Sequence, residues 1–158
     1  MGYTTEFDGE FHINERLDKD TQSFLTKLNE TRRMKRNIEG FGIDGEFYVD
    51  GGGHRGQCDE TNIVNYNTPP STQPSLWCQW KPNEAGTAIE WDGGEKFYNY
   101  VEWLKYIISK VLAPKGYILN GLVEYQGEDS SDFGVIAVKE NKVLISKGKK
   151  RYGAPEEA

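Results

Sequence analysis

The sequence has few of the residues from which metal centres and covalent scaffolds are built. Its 158 residues include two cysteines, two histidines and two methionines. A secreted chain of this size that depended on disulfides would carry more cysteines, so a disulfide framework is excluded. The most apolar stretch, residues 97–112, is interrupted by polar and charged side chains, so it does not suit a bilayer. The first residues show no basic stretch followed by an apolar run, so we expect no signal peptide and a cytoplasmic protein.

Cationic residues are outnumbered by anionic ones. The chain has 19 Lys and Arg residues against 25 Asp and Glu residues, which gives a net charge of −6. This balance argues against a broad surface for nucleic acid, although it permits a local basic patch. Aromatic residues are abundant, at 13% of the chain, and supply the large side chains that a hydrophobic core needs. We therefore expect one domain over residues 1–147 and a flexible tail over residues 148–158.

Two hydrophobic periodicities divide the chain into strands and helices. Alternation with a period of two predicts strands, and apolar residues at helical spacing predict helices. The predicted strands cover residues 5–13, 46–49, 76–80, 87–91, 117–126, 133–139 and 142–146. One predicted helix follows Asp18 and ends near residues 29–33, and a second covers residues 97–112. The order β-α-β-loop-β-β-α-β-β-β favours an α+β fold, with both helices on one face of a mostly antiparallel sheet.

The glycine- and proline-rich residues 51–75 are predicted to form one long surface loop. Loops of this length are uncommon in compact domains and often carry function. Three consecutive glycines at 51–53 could offer backbone amides to a phosphate. The helix and the lysine of a phosphate-binding loop do not follow them, which favours a mobile loop instead. The sequence leaves open whether the loop is a lid or a binding surface.

His54, Cys58 and Cys78 form the best candidate metal site. Zinc favours cysteine and histidine ligands, and Asp59 or Glu60 could supply a fourth. The paired short spacings of zinc modules are absent, however, and a cysteine in a predicted strand is commonly a small buried side chain. A hydrolase or metal-dependent enzyme that uses the 51–75 loop is therefore an alternative function and not the leading one.

Four cations lie close together after the first predicted helix, at residues 32, 33, 35 and 36. Arg32, Arg33 and Arg36 could bind a small anion, a nucleic acid or an acidic partner surface. The alternative is that these cations only complement the dipole at the end of the helix. Nucleic-acid binding through residues 32–36 is thus a second alternative function, and the acidic composition makes nucleic acid the less favoured partner.

The hairpin and the second helix contain more aromatic residues than one core face requires. Tyr106 lies opposite the apolar stripe of the helix, and Tyr98 and Trp103 lie at its edges. Trp77 and Trp80 lie on opposite faces of the first hairpin strand. Exposed aromatic patches often mark surfaces for partners or ligands. An equally open alternative is that the long loop folds over these rings and forms a second small core.

Five stretches of the chain carry a resemblance to other proteins. They are residues 1–14 (MGYTTEFDGEFHIN), 73–80 (QPSLWCQW), 90–104 (EWDGGEKFYNYVEWL), 119–129 (LNGLVEYQGED) and 132–143 (DFGVIAVKENKV). Over most of residues 1–147 the chain resembles a family of small bacterial and phage proteins that is known as a domain of unknown function. The resemblance implies a phage or mobile-element setting, and it brings no catalytic residues with it.

These patterns favour a small cytoplasmic binding protein over an enzyme. We expect it to bind a host protein or a small anionic ligand, and thereby to antagonise a host system in the host cytoplasm. The arginines at 32, 33 and 36 would contact the anion, and the five aromatic residues of the hairpin and second helix would contact the ligand or partner. We expect neither a cofactor nor a membrane partner.

Overall fold

Eight strands and two α-helices make up the part of the chain that the structure describes, namely residues 2–36, 48–49 and 63–158 of a computed structural model. The strands are β1 (Thr5–Ile13), β2 (Lys35–Arg36), β3 (Ile63–Asn65), β4 (Trp80–Pro82), β5 (Ala88–Trp91), β6 (Leu119–Gly127), β7 (Phe133–Lys139) and β8 (Lys142–Lys147). The helices are α1 (Lys19–Glu30) and α2 (Tyr100–Ile107). A π-helical turn, Ile108–Leu112, and a 3-10 turn, Ala113–Lys115, extend α2.

Six of the strands form one sheet in the order β4-β5-β1-β6-β7-β8. Each neighbouring pair is antiparallel. Strand β1 lies inside the sheet and pairs with β6 along its whole length, from Thr5 opposite Gly127 to Ile13 opposite Leu119. The predicted α+β class and the mostly antiparallel sheet are therefore confirmed.

The connection between α1 and the hairpin differs from the prediction. Strands β2 and β3 form a separate two-stranded ladder that the sequence did not indicate. Of the predicted strand 46–49, residues 46–47 lie outside the described residues, and Tyr48 and Val49 are not in a strand. Strand β4 begins only at Trp80, because the chain before it lies outside the sheet. In that preceding chain the Leu76 carbonyl accepts a hydrogen bond from the amide of Arg33.

Asp18 begins helix α1 as its N-cap. Its carboxylate accepts hydrogen bonds from the amide of Thr21 at 2.7 Å, the hydroxyl of Thr21 at 2.8 Å and the hydroxyl of Tyr117 at 2.9 Å. Because these bonds stabilise the ionised carboxylate, they lower the pKa of Asp18 to about 2. The cap therefore also ties the start of α1 to the residues that lead into β6. The helix ends at Glu30, within the predicted range.

Both helices pack on the same face of the sheet. Leu25 and Leu28 of α1 and Leu104 and Ile107 of α2 belong to one buried cluster. That cluster also contains inward-facing side chains of the sheet, namely Phe11, Leu119, Val123, Ile136 and Val138. Apolar residues at helical spacing and at alternate strand positions thus meet in a single core, as the two periodicities predict.

Trp80 belongs to this core and is not a surface contact. Its ring lies edge-on to Phe7 at a centroid distance of 5.2 Å and to Phe97 at 5.3 Å. Its indole nitrogen donates a 2.8 Å hydrogen bond to the carbonyl of Tyr100. The prediction of a surface role for Trp80 is therefore wrong, because β4 lies beneath α1 and the first turn of α2.

Candidate functional site

Trp103 and Tyr106 are covered by residues 73–75. The indole nitrogen of Trp103 donates to the hydroxyl of Ser75 at 2.7 Å, and the side-chain amide of Gln73 donates to the Tyr106 hydroxyl at 3.1 Å. Trp103 has no exposed surface, and Tyr106 is 6% exposed. The prediction that these two rings form part of an exposed patch is wrong. Both rings belong to the main buried cluster. The end of the long loop covers them, as the alternative interpretation of the sequence expected, but it does not form a separate core with them.

Arg33 and Arg36 are also buried, with exposed fractions of 2% and 4%. The Nε of Arg33 donates to the Gln73 side-chain oxygen at 3.1 Å, and the Arg36 guanidinium lies 3.6 Å from the centroid of the Tyr48 ring. Because α1 ends at Glu30, these arginines do not lie on a helix surface, and they pack inward instead. The predicted surface cluster for an anion or a nucleic acid is therefore wrong for both of them.

Arg32, Trp77 and Tyr98 do come together, at a groove of about 520 Å³. Its apolar lining consists of Pro69, Pro74, Leu76, Trp77 and Tyr98. Its charged lining consists of Arg32, Glu95 and Lys96. The volume lies within the range of small-molecule sites, which are mainly apolar and carry a few polar groups for orientation. We name this feature the Trp77 groove.

The residues between β5 and α2 build one wall of the Trp77 groove. Lys96 and Asn99 both adopt the left-handed conformation, with φ of 58° and 57°, which is uncommon for residues with side chains. The side-chain amide of Asn99 donates to the carbonyl of Pro74 at 2.9 Å, and the Ser75 hydroxyl donates to the carbonyl of Tyr98 at 3.3 Å. Such backbone strain clusters at functional sites, where surrounding contacts hold it in place.

Gln79 also lines the groove, and hydrogen bonds hold its side chain in place. Its side-chain nitrogen donates to the Glu95 carbonyl at 2.7 Å, and its side-chain oxygen accepts from the indole nitrogen of Trp91 at 3.2 Å. Gln79 is buried, so both of its polar atoms need these partners. These two hydrogen bonds therefore fix the Gln79 side chain in the lining of the groove.

A second hollow of about 300 Å³ adjoins the groove, since Trp77 and Gln79 line both. Asn29 lines this hollow, and its side-chain amide donates to the Cys78 carbonyl and to the Asp92 carboxylate, each at 2.9 Å. The carboxylates of Glu30 and Asp92 make this hollow acidic. Trp77 thus lines both an acidic hollow and a groove that carries two cations.

Arg32 is held at the edge of the Trp77 groove by the chain after β3. Its Nε donates to the Tyr66 carbonyl at 3.1 Å, and its Nη2 lies 3.5 Å from the side-chain oxygen of Asn67. These bonds leave Nη1 without an acceptor among the described residues. Lys96 adds a second cation and Glu95 one anion, so the groove has an excess of one positive charge. This excess contrasts with the net charge of −6 of the whole chain.

Cys78 does not have the accessible thiolate that a metal ligand or a nucleophile needs. Its side chain is completely buried, and its thiol contacts the Trp80 carbonyl at 3.6 Å. Burial raises the pKa of the Cys78 thiol to about 12. His54 and Cys58, the other two candidate ligands, lie outside the described residues. Among the residues that are described, no three His, Cys, Asp or Glu side chains are grouped so as to hold a metal ion.

Comparison with known proteins gives no assignment. Neither the protein-family models, nor the curated proteins, nor the solved structures contain a match to this chain. Within the ranges that the structure describes, no helix has both the length and the apolar character needed to cross a membrane.

Of the residues that line the groove, only Arg32, Trp77 and Tyr98 were predicted as site residues. Those that were missed include Leu76 and the charged residues Glu95 and Lys96. Leu76 was predicted to lie in a strand, and the two charged residues were placed at the start of the second predicted helix. The only sequence signal for their position was the glycine pair at 93–94, which indicates a change of chain direction before the second helix.

Proposed function

We propose that this protein is a small binding protein of phage or mobile-element origin, and that it captures a planar aromatic anion, a nucleotide, in the Trp77 groove. The observation that carries the proposal is the meeting of Trp77 and Tyr98 with Arg32 and Lys96 around one groove. These residues come from three segments that are distant in sequence, so the fold brings aromatic and cationic groups to a common site.

The aromatic side chains of the groove suit the ring of such a ligand. Trp77 is half-buried, which orients its ring, and Tyr98 is 48% exposed. The hydroxyl of Tyr98 accepts a hydrogen bond from the backbone amide of Tyr3 at 3.2 Å, which positions the phenol ring. Stacking of a base on an aromatic side chain contributes about 1–3 kcal/mol and tolerates different bases.

The cations suit the phosphate. Arg32 has a guanidinium whose donors match phosphate oxygens, and Lys96 adds a flexible ammonium group. Glu95, on the same wall as Lys96, can accept a hydrogen bond from an amino group of the base. The opposing charges therefore favour one orientation of the ligand, with its phosphate towards Arg32.

A binding role is consistent with the setting that the family resemblance implies. A phage protein that removes a nucleotide from the host cytoplasm would antagonise any host system that depends on it, and it would need no catalytic residues. The described residues form a groove, and Cys78, the one candidate metal ligand among them, is inaccessible.

Isothermal titration with adenosine monophosphate, adenosine and inorganic phosphate tests the proposal. We expect the monophosphate to bind more tightly than either of its parts, because the groove offers contacts to both. Guanosine and uridine monophosphates should also bind, since stacking tolerates different bases. Absence of measurable binding by all three nucleotides would overturn the proposal.

Two pairs of variants locate the site. Trp77→Ala should weaken nucleotide binding by about tenfold or more, whereas Tyr152→Ala removes an aromatic ring that is 90% exposed in the tail and should leave it unchanged. Arg32→Ala should weaken binding of the monophosphate by about tenfold but not binding of adenosine, because a charge-assisted bond is lost. Arg16→Ala, an exposed cation away from the groove, is its matched control. Equal effects within either pair would contradict the assignment.

A further inference from the structure

Strand β8 is an edge of the main sheet, far along the chain from the Trp77 groove. It pairs with β7 on one side, and no described strand pairs with its other side. Leu144 and Ile145, in its centre, are 43% and 47% exposed. They lie on opposite faces of the sheet, since Leu144 is opposite Ala137 and Ile145 is opposite the buried Ile136. An open strand edge with exposed apolar side chains is suited to accept a further strand.

Positive charge is concentrated around this edge. Residues 139–151 contain six Lys and Arg residues and one Glu, although the whole chain has a net charge of −6. Lys139 and Lys142 flank the start of β8, and Lys147 ends it. The cations therefore border the two apolar side chains on both sides along the strand.

The charge pattern discriminates between possible occupants. In an antiparallel pair of two β8 strands, the Lys142 end of one copy would approach the Lys147 end of the other, and a parallel pair would align identical lysines. Like charges that face each other across strands destabilise the pairing, and edge lysines are a common protection against self-association. An incoming strand with carboxylates at both ends and apolar residues in its centre would instead meet opposite charge and cover Leu144 and Ile145.

We propose that β8 binds an extended acidic segment of a partner protein, which adds to the sheet as a seventh strand. Backbone hydrogen bonds supply sequence-independent binding, the exposed apolar side chains supply burial, and the flanking lysines select acidic sequences. This inference does not depend on the Trp77 groove, because the two surfaces share no residue.

The probe is a short fluorescent peptide with glutamates at both ends and valines in its centre, and its matched control carries lysines in place of the glutamates. Fluorescence anisotropy should show binding of the acidic peptide only. In Lys142→Glu/Lys147→Glu, binding should weaken by about tenfold or more, because two attractive contacts become repulsive. Arg16→Glu/Lys19→Glu changes the net charge equally at two exposed residues outside the sheet and should leave binding unchanged. Equal weakening in both double variants would overturn the proposal.

Hydrogen exchange distinguishes strand addition from nonspecific attraction to the tail. The acidic peptide should slow exchange of β8 backbone amides, since the added strand occupies the open edge. A chain truncated after Gly148 lacks Lys149, Lys150 and Arg151 but keeps β8. It should still bind the peptide and still show slowed exchange in β8. Loss of all binding on truncation, or binding without any slowing in β8, would contradict the proposal.

Discussion

The indole nitrogen of Trp103 donates a 2.7 Å hydrogen bond to the hydroxyl of Ser75, and this contact joins helix α2 to the chain that precedes the hairpin. Ser75 in turn lies on the wall of the Trp77 groove, so the same hydroxyl connects the packing of the helix with the shape of the site. A buried indole N–H must have an acceptor, and here a residue of the groove provides it.

Replacement of Ser75 tests how far this contact stabilises the fold. Ser75→Ala leaves the Trp103 N–H buried without its acceptor, so the free energy of unfolding should fall by about 1–3 kcal/mol. Urea denaturation measures the change. Ser109→Ala, which removes an exposed hydroxyl from the turn after α2, should stay within about 0.5 kcal/mol of the wild type. Equal stabilities of the two variants would show that the Trp103 contact contributes nothing.

Gly121 is required by the close pairing of β1 and β6. Its φ is +148°, and a Cβ built there would lie 2.9 Å from both the Glu10 carbonyl oxygen and the Phe11 Cα. Gly121→Ala should therefore destabilise the protein by about 3 kcal/mol, through backbone strain and overpacking together. In Gly116→Ala the φ of +83° is strained but no atom lies within 4 Å, so a cost of about 1 kcal/mol is expected. Thermal unfolding of both variants checks the difference, and a smaller cost at Gly121 would refute it.

Asp18 makes stability depend on pH at the acidic end. Its pKa is lowered from an ordinary value of 3.8 to about 2, first by the amide of Thr21 and then by the hydroxyls of Thr21 and Tyr117. Because the folded-state pKa is the lower one, the stabilisation is complete above the unfolded-state value and is lost as the pH falls through the folded-state value. The stabilisation by Asp18 should therefore be lost as the pH falls from 3.8 to about 2.

The Asp18→Asn variant isolates this contribution. Asparagine still caps a helix but does not titrate, so the variant should lose less stability than the wild type on acidification between about pH 5 and pH 2. Urea midpoints measured across this range provide the comparison. Parallel pH profiles for the two proteins would show that Asp18 does not carry the effect.

Cys78 should be inert towards thiol reagents in the folded protein. Its complete burial and a pKa raised to about 12 leave almost no thiolate near neutral pH. In a Cys58→Ser background, which leaves one thiol, Ellman's reagent should react only after denaturation with guanidinium. Rapid reaction of the native protein would contradict the buried position of Cys78. It would also make Cys78 a candidate metal ligand again.

The long strands and helices could be predicted from the sequence because the apolar residues of each repeat with one dominant period. Strand β1 alternates over nine residues, and the limits of β7 were predicted without error. The short strands β2 and β3 were missed, since two or three residues cannot establish a period. The predicted hairpin strand from residue 76 was too long because Leu76 leaves the sheet to contact Arg33.

The candidate site was predicted only in part, for a different physical reason. A helical period shows which side of a helix is apolar, but it does not show whether another segment covers the remaining side. Trp103 and Tyr106 were therefore expected at the surface, although residues 73–75 cover them. The Trp77 groove joins residue 32, residues 69–79 and residues 95–99, and such a meeting of distant segments is determined only by the tertiary fold.

The account depends most on the claim that the Trp77 groove is a nucleotide site. A two-dimensional proton–nitrogen NMR titration with adenosine monophosphate tests it directly, because each of the four tryptophans gives its own indole signal. The account predicts that the indole signal of Trp77 and the backbone amides of residues 95–99 shift on binding. The indole signal of Trp80, which is buried and donates to the Tyr100 carbonyl outside the groove, should stay in place. Shifts confined to other parts of the chain, or no shifts at all, would contradict it.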